Sequence, residues 1–396
     1  LYPPKRGDEH RVANRTDFKK IEIGALIAGG GIAGSALFRY MSDAGLNPVL
    51  VNADRGSSWR NIGGGRTAFS LPELAEIAEH NHAIFKELQK ISNIDYKTTR
   101  YINLAHDEST FNALDASRAW SDAFMVDPKN FHKEISPYFS TKSKRYLGAL
   151  ITNDCWQATP GKVVDLIRNM GVSAGGRIVE DCKVLEVMKE GSPYSILVLT
   201  HDKKYVEFRT EIFVNALGAG AGKICEGLGI HAGLYPVRHQ AFITRRLPML
   251  GKNGDSLDML IDRQEYKGFS AVYGQQLLHT GQIIGCASPR VDALRTDKNL
   301  ILNTKEFMEI VSEFFVDWVP ELAGVSIQAT WSGYYTEPRY IVDPELGLFV
   351  GMRGHGFMLS QYLAKIYVDK LMGRPVPEYF DQLKLNGPGL SEKAFK

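Results

Sequence analysis

A chain of 396 residues, 44% hydrophobic and 23% charged, carries enough apolar material for two domains or one large composite domain. A net charge of +2 with no Lys/Arg-rich run gives no electrostatic footprint for nucleic acid. The four cysteines Cys155, Cys182, Cys225 and Cys286 form no CxxC pair, which excludes a zinc site on paired cysteines and fits a reducing compartment, the cytoplasm or an organelle matrix.

Residues 1–20, LYPPKRGDEHRVANRTDFKK, are polar and read as a flexible tail or the remnant of a trimmed precursor. Asp8, Glu9 and Asp17 argue against a transit peptide, and the apolar core of a secretory signal is missing. No membrane span is expected, because the most apolar window, 21–38, holds Glu22 and five glycines.

Residues 22–55 carry the strongest pattern. An apolar run at 23–28 predicts a buried strand, Gly29-x-Gly31-x-x-Gly34 a tight turn, 35–44 a helix, and 48–51 a second, parallel strand. This unit binds a dinucleotide: Gly29 permits the turn, Gly31 lets backbone approach a pyrophosphate, and Gly34 lets helix and strand close up. The helix start around Ile32 and Ala33 offers that pyrophosphate N–H groups and a partial positive charge. The acid that ordinarily accepts ribose hydroxyls is replaced by Asn52, a loss of charge assistance that costs about 1 kcal/mol. Asp54 is the nearest acid able to stand in. Ala53 and Arg55 complete this edge, and Asn52 beside Arg55 would also suit a 2′-phosphate, which keeps NADP as an alternative.

The loop 56–70 holds Gly63, Gly64 and Gly65, then Arg66 and Thr67, and suits either a ligand wrap or a plain surface turn. Residues 72–90 predict a helix opened by Pro72, with Leu74, Ile77, Ala78, Phe85 and Leu88 turned inward. His80 and His82, two apart, leave that helix on different sides, so no metal is expected there. Residues 94–150 show no clear period. Thr159 and Pro160 read as N-cap and first residue of a helix that buries Val163, Val164, Leu166 and Ile167 and stops at Gly171.

Runs at 177–187, 194–200 and 205–209, joined by Gly191-Ser192-Pro193 and a polar turn at 201–203, predict a β-meander. A buried strand at 212–217 then enters a small-residue turn at Gly218. Residues 236–330 set Tyr266, Phe269, Tyr273 and Trp318 among short alternating runs, a mixed sheet able to roof a ligand cavity. Towards its end the chain takes up the opening pattern again, with a strand at 348–350, a glycine turn at 351–356, and a helix at 357–372 stopped by Gly373. Two such units at opposite ends of the chain are expected to clasp one cofactor.

These pieces resemble the D-amino-acid oxidase family of FAD enzymes, in its sarcosine oxidase and glycine oxidase branch. The likeness rests on Gly29-x-Gly31-x-x-Gly34, on Gly63-Gly64-Gly65-Arg66-Thr67, and on Val214-Asn215-Ala216-Leu217-Gly218-Ala219. It extends to Pro236-Val237-Arg238-His239-Gln240 and Gly354-His355-Gly356-Phe357, all in the expected order over 22–390. The resemblance implies a two-domain α/β fold. A glutathione-reductase-like, FAD-binding Rossmann domain would be assembled from 21–93, 145–235 and 331–396, and a mixed, mostly antiparallel substrate domain from 94–144 and 236–330. It implies flavin contacts at Gly354, His355, Gly356 and Phe357, where a helix N-terminus faces the reduced ring, and an adenine contact from the Val184 backbone. His355 is expected to pack against a neighbouring strand rather than to move protons.

The departures shape the expected chemistry. The segment that carries the flavin-linking cysteine in sarcosine oxidases is Trp331-Ser332-Gly333-Tyr334-Tyr335, without cysteine, so FAD is expected to be non-covalent. The lysine that follows the flavin turn and promotes reaction with oxygen is Met358. The family's carboxylate-binding arginine falls near Tyr335, with Arg339 just beyond it, as a short deletion would leave it. The resulting expectation is a dehydrogenase or slow oxidase that moves a hydride to flavin N5 from the C–N bond of a small amino acid or N-substituted amino acid. Arg339, Tyr335, Tyr273 and Arg66 are the expected anchor and wall. Two alternatives stand beside it: an NADP-dependent dehydrogenase, and a partner subunit or homo-oligomer with little turnover of its own.

Overall fold

The apolar run 23–28 settles into the strand Ala25–Ala28, with both faces covered. Ala25 and Ile27 point into a layer of helices, Leu26 and Ala28 into a second sheet, and all four are fully buried. A strand buried on both sides needs a continuous apolar run rather than alternation. The computed structural model describes residues 18–53, 55–140, 146–189, 191, 193–265, 268–289, 305–390 and 392. Asp54, Ser192, Tyr266 and most of the N-terminal tail lie outside the described residues.

Around that strand runs a six-stranded sheet in the order Ile341–Asp343, Leu348–Val350, Ile212–Asn215, Ala25–Ala28, Pro48–Val51, Arg177–Val179. It is parallel except for the hairpin at its edge. Helices Ile32–Asp43, Pro72–Ile91 and Gly356–Leu371 supply the apolar layer on one face. A four-stranded sheet of Lys19–Glu22, Tyr205–Thr210, Tyr194–Leu199 and Lys183–Lys189 covers the other.

Three local expectations give way to the structure. The run 177–187 is two strands in two sheets, divided at Asp181, whose φ of 54° turns the chain. Lys19 and Lys20, read as tail, belong to a strand that pairs in parallel with Tyr205–Thr210. Gly171 does not stop the helix Pro160–Ser173; a Cβ there would lie 2.5 Å from the Phe38 ring, so this glycine lets two helices touch.

The third sheet runs Ile327–Glu337, Tyr235–Arg246, Gln282–Pro289, Phe269–Gln276, Met259–Asp262, Lys97–Ala105, Gly148–Gln157, Gly64–Gly65, with Ala123–Val126 also on Gly148–Gln157. It is antiparallel except where Met259–Asp262 lies along Lys97–Ala105. Gly148–Gln157 and Ile327–Glu337 thus join this sheet and not the Rossmann sheet, because each has a long antiparallel partner here. The helix Lys305–Trp318 lays Phe307, Ile310, Val311, Phe314, Phe315 and Trp318 on one face of it, against Ile102, Leu104, Leu260 and Val272. The two-residue period sends Tyr101, Met259, Ile261 and Tyr273 to the opposite face. Those side chains face the turn 351–356 and the start of the helix Gly356–Leu371. Among the described residues no helix is long and apolar enough to cross a membrane.

Candidate active site

The nucleotide turn is built for close approach. Gly29 has a φ of 104°, and a Cβ on Gly34 would sit 1.8 Å from the Gly29 carbonyl oxygen, so strand and helix leave no room for a side chain. A Cβ on Gly31 would meet Ser58 Oγ at 2.8 Å, and that hydroxyl accepts the Ile32 N–H at 2.8 Å. Ile32, Ala33 and Gly34 form the first turn of the helix Ile32–Asp43. Ala216 packs beside Gly34, and Gly218 takes a φ of 56° just past the strand Ile212–Asn215. Asn52 is buried at the carboxyl end of Pro48–Val51, and Ala53 and Arg55 follow it, exposed. Val184 lies in Lys183–Lys189, two residues past Cys182, whose N–H donates to the Asn52 carbonyl.

At the other end, a cavity of about 210 Å³ opens between the turn 351–356 and the large sheet. Gly354, His355, Phe357 and Met358 form one wall; Tyr101, Met259, Ile261 and Tyr273 form another. Gly354 has a φ of 80°, and a Cβ there would lie 2.2 Å from the Tyr335 ring. The loop Ser57–Arg60 is tied to this wall: the Trp331 indole N–H donates to the Arg60 carbonyl at 2.7 Å, and the Tyr334 N–H to Ser57 Oγ at 2.9 Å. Gly64 lines the cavity next to Arg66, while Gly65 and Thr67 are buried behind it.

Its polar groups are held in defined states. Arg66 is 3% exposed, and its Nη2 reaches His355 Nε2 at 3.4 Å. Because guanidinium only donates, that nitrogen accepts, and the ring proton on Nδ1 goes to Tyr340 Oη at 2.5 Å. His355 is thus a neutral, oriented ring, edge-on to Phe69. The Tyr273 and Tyr335 hydroxyls meet at 3.0 Å, and burial raises both pKa values, so both stay protonated. His239 stacks on Tyr335 at 3.6 Å between centroids, and burial lowers its pKa to about 3. Arg353 Nε donates to Glu337 at 2.9 Å in a buried ion pair.

The structure brings Arg66, Tyr273 and Tyr335 to one cavity with Gly64, Gly354, His355, Phe357 and Met358. It does not bring Arg339 there. Alternation along Ile327–Glu337 puts Tyr335 and Glu337 on the cavity face and would put Arg339 with them, but the strand ends at Glu337, before Pro338. Arg339 instead donates through Nη2 to the carbonyls of Lys384 and Gly387, at 2.9 and 2.8 Å. Residues missed from the sequence include Tyr101, Arg263, Glu337 and Arg353, all on the cavity. Burial and the neighbouring Arg66 charge depress the Arg263 pKa to about 9. The turn motif itself contains the clue to Arg353, a charged side chain inside an otherwise small-residue bend.

Comparison with known proteins agrees with this fold. A curated relative, subunit A1 of the anaerobic glycerol-3-phosphate dehydrogenase of Haloferax volcanii, is 26% identical over 240 residues, 53% of this chain but only 39% of that protein. Among solved structures, L-proline dehydrogenase from P. horikoshii superposes with a TM-score of 0.77 at 21% identity, over 93% of this chain and 97% of that one. Glycine oxidase from Geobacillus kaustophilus also reaches 0.77, at 18% identity, over 92% and 98%. At such identities the superpositions speak for a shared two-domain α/β fold. The family model for FAD dependent oxidoreductases, DAO, matches residues 25–370, and the chain belongs to that family.

Proposed function

We propose that this protein holds FAD non-covalently and oxidises the C–N bond of a small amino acid or N-substituted amino acid, as a dehydrogenase or slow oxidase. The observation that carries the reading is the cavity in which a helix N-terminus, two neutral tyrosine hydroxyls and a buried arginine converge. The residues present fit FAD. The cradle at Gly29, Gly31 and Gly34 admits backbone but no side chain, and Arg353 Nη1 and His239 Nδ1 on the cavity have no hydrogen-bond partner among the described residues. FAD, when bound, supplies the hydride acceptor, and the family match over residues 25–370 favours it over the NADP alternative.

The chain's own part is to bind, orient and keep water out. Gly29, Gly31 and the Ile32–Asp43 helix start would hold the pyrophosphate, and the 351–358 segment the ring. Arg66 is the proposed carboxylate anchor, because its forked donors suit a carboxylate and its burial strengthens the bond. Tyr273 and Tyr335 form the opposite wall and donate hydrogen bonds without taking protons. No described lining residue is an unpaired acid, since Glu337 is bound to Arg353. That suits hydride removal from an amine already neutral, which needs little acid–base help.

Non-covalent attachment is supported by the state of Cys286, the cysteine on the cavity: burial pushes its thiol up to about 12, so the nucleophilic thiolate does not form at neutral pH. A slow reaction with oxygen is supported by Met358, packed on Tyr101, Met259 and Ile261 with no amine in its place. The test is anaerobic mixing of the yellow protein with amino acids, N-methyl amino acids, 2-hydroxy acids and glycerol 3-phosphate. Bleaching of the flavin bands by an amino acid is expected. Bleaching by hydroxy compounds alone, or by nothing in the panel, would overturn the substrate class; the second outcome with a stable heteromeric complex would favour a partner subunit.

A further inference from the structure

The acid missing at Asn52 has a carboxylate beside it, Glu180, just past the end of the adjoining strand Arg177–Val179. Val51 pairs in parallel with Val179, so residues 52 and 180 leave the sheet at the same level, on the carboxyl edge where α/β sheets bind ligands. The Asn52 side chain is already committed. Its Oδ1 accepts the Gly30 N–H at 3.2 Å, and its Nδ2 donates to Glu180 Oε2 at 2.7 Å. The other Glu180 oxygen accepts from Arg168 Nη1 at 2.7 Å. Arg168 is itself fixed, through Nη2 to the Gly30 carbonyl at 2.7 Å, through Nε to Ser35 Oγ at 3.1 Å, and over the Trp59 ring at 5.0 Å.

We propose that Glu180 is the carboxylate that accepts the ribose hydroxyls of the adenosine half of FAD, with Asn52 and Arg168 as the residues that aim it. A carboxylate has about four acceptor sites. Two are taken by these donors, and the Glu180 side chain remains 47% exposed, whereas Arg168 is 9% exposed. The carboxylate is therefore oriented from the protein side and open on the other. It has moved by the length of one amide, from the end of Pro48–Val51 to the end of Arg177–Val179, and Asn52 fills the gap. The same negative charge disfavours a 2′-phosphate at that ribose, opposite to what Asn52 and Arg55 imply when read alone.

The assignment rests on FAD as cofactor, and the experiment separates the two. Apo-protein prepared from the purified flavoprotein is titrated with FAD and with an FAD analogue lacking the 2′ and 3′ hydroxyls of the adenosine ribose. Glu180→Gln is expected to raise the Kd for FAD about tenfold to a hundredfold, the range for a hydrogen bond to a charged group. It should leave the Kd for the analogue within about twofold of the unmodified protein. Equal weakening of both ligands makes Glu180 only the counter-ion of Arg168 and overturns the proposal, as does an unchanged Kd for FAD. Glu180→Asp, which keeps the charge but withdraws it by one methylene, covers the case in which the amide variant does not fold, and the same selective loss is expected of it. An unmodified protein that takes up neither ligand sinks the cofactor reading, and this assignment with it.

Discussion

Replacing Arg339 by alanine separates a structural arginine from a substrate anchor. Its Nη2 bonds the carbonyls of Lys384 and Gly387, and a Cβ on Gly389 would lie 3.4 Å from its guanidinium carbon, so this one side chain pins residues 384–389. Hydrogen bonds from a charged donor contribute about 1.5–3 kcal/mol each. Because the side chain is half-buried, the lower end applies, and the pair is worth about 3 kcal/mol. At roughly 2 °C per kcal/mol, Arg339→Ala lowers Tm by about 6 °C. KM should stay within about twofold, since Arg339 is not on the cavity. Thermal melting followed by flavin fluorescence, limited proteolysis of the C-terminal segment and steady-state kinetics on one preparation measure all three. A tenfold rise in KM with unchanged melting would return Arg339 to the site and refute the reasoning.

Arg66→Met should do the reverse: KM for an amino-acid substrate rises about a hundredfold as one charge-assisted bidentate contact of about 3 kcal/mol is lost, and a KM changed less than fivefold excludes Arg66 as anchor. In Gly354→Ala the new Cβ meets the Tyr335 ring at 2.2 Å, and the ring cannot retreat from His239 stacked at 3.6 Å. With the left-handed backbone this costs about 2–4 kcal/mol, and the variant should be purified largely without flavin; full flavin content refutes it. Acid should destabilise the protein through His239, whose folded pKa of about 3 lies below the free value of 6.5. The unfolded chain then binds the extra proton between those values, so stability is present above about pH 6.5 and is lost as pH falls toward 3. The loss from pH 8 to pH 5 is about 2 kcal/mol. His239→Phe, which keeps the stack on Tyr335, should flatten that slope, and a slope unchanged in the variant assigns it elsewhere.

The Rossmann elements are legible in the sequence because each rests on local rules. The strand Ala25–Ala28 is a continuous apolar run, Pro72 and Pro160 open helices, and Gly373, at a φ of 68°, follows the end of Gly356–Leu371. The misreadings occur where tertiary contacts decide. Gly171 looks like a stop until Phe38 fills the space beside it. The run 177–187 reads as one strand because both halves are β-like, and only pairing with Pro48–Val51 on one side and Tyr194–Leu199 on the other divides it. Residues 94–150 are opaque for the same reason: Lys97–Ala105 and Gly148–Gln157 stabilise each other across a long separation, with no local turn to announce them.

The site follows the same logic at finer scale. Tyr335 and Tyr273 are recoverable because each lies inside a strand, where a two-residue period fixes the face once one neighbour is placed. Arg339 is not, because that period ends where the strand ends, at Glu337. Glu337 and Arg353 come from different segments and find each other across the cavity rim, a pairing that spacing cannot encode. Glu180 is invisible for a related reason. The acid is expected at the end of the second strand, where the sequence has Asn52, but a parallel neighbour in register presents its own end at the same height. A binding carboxylate can therefore change strands while its position in space is nearly kept, provided an amide spans the gap and a cation holds it, the parts that Asn52 and Arg168 supply.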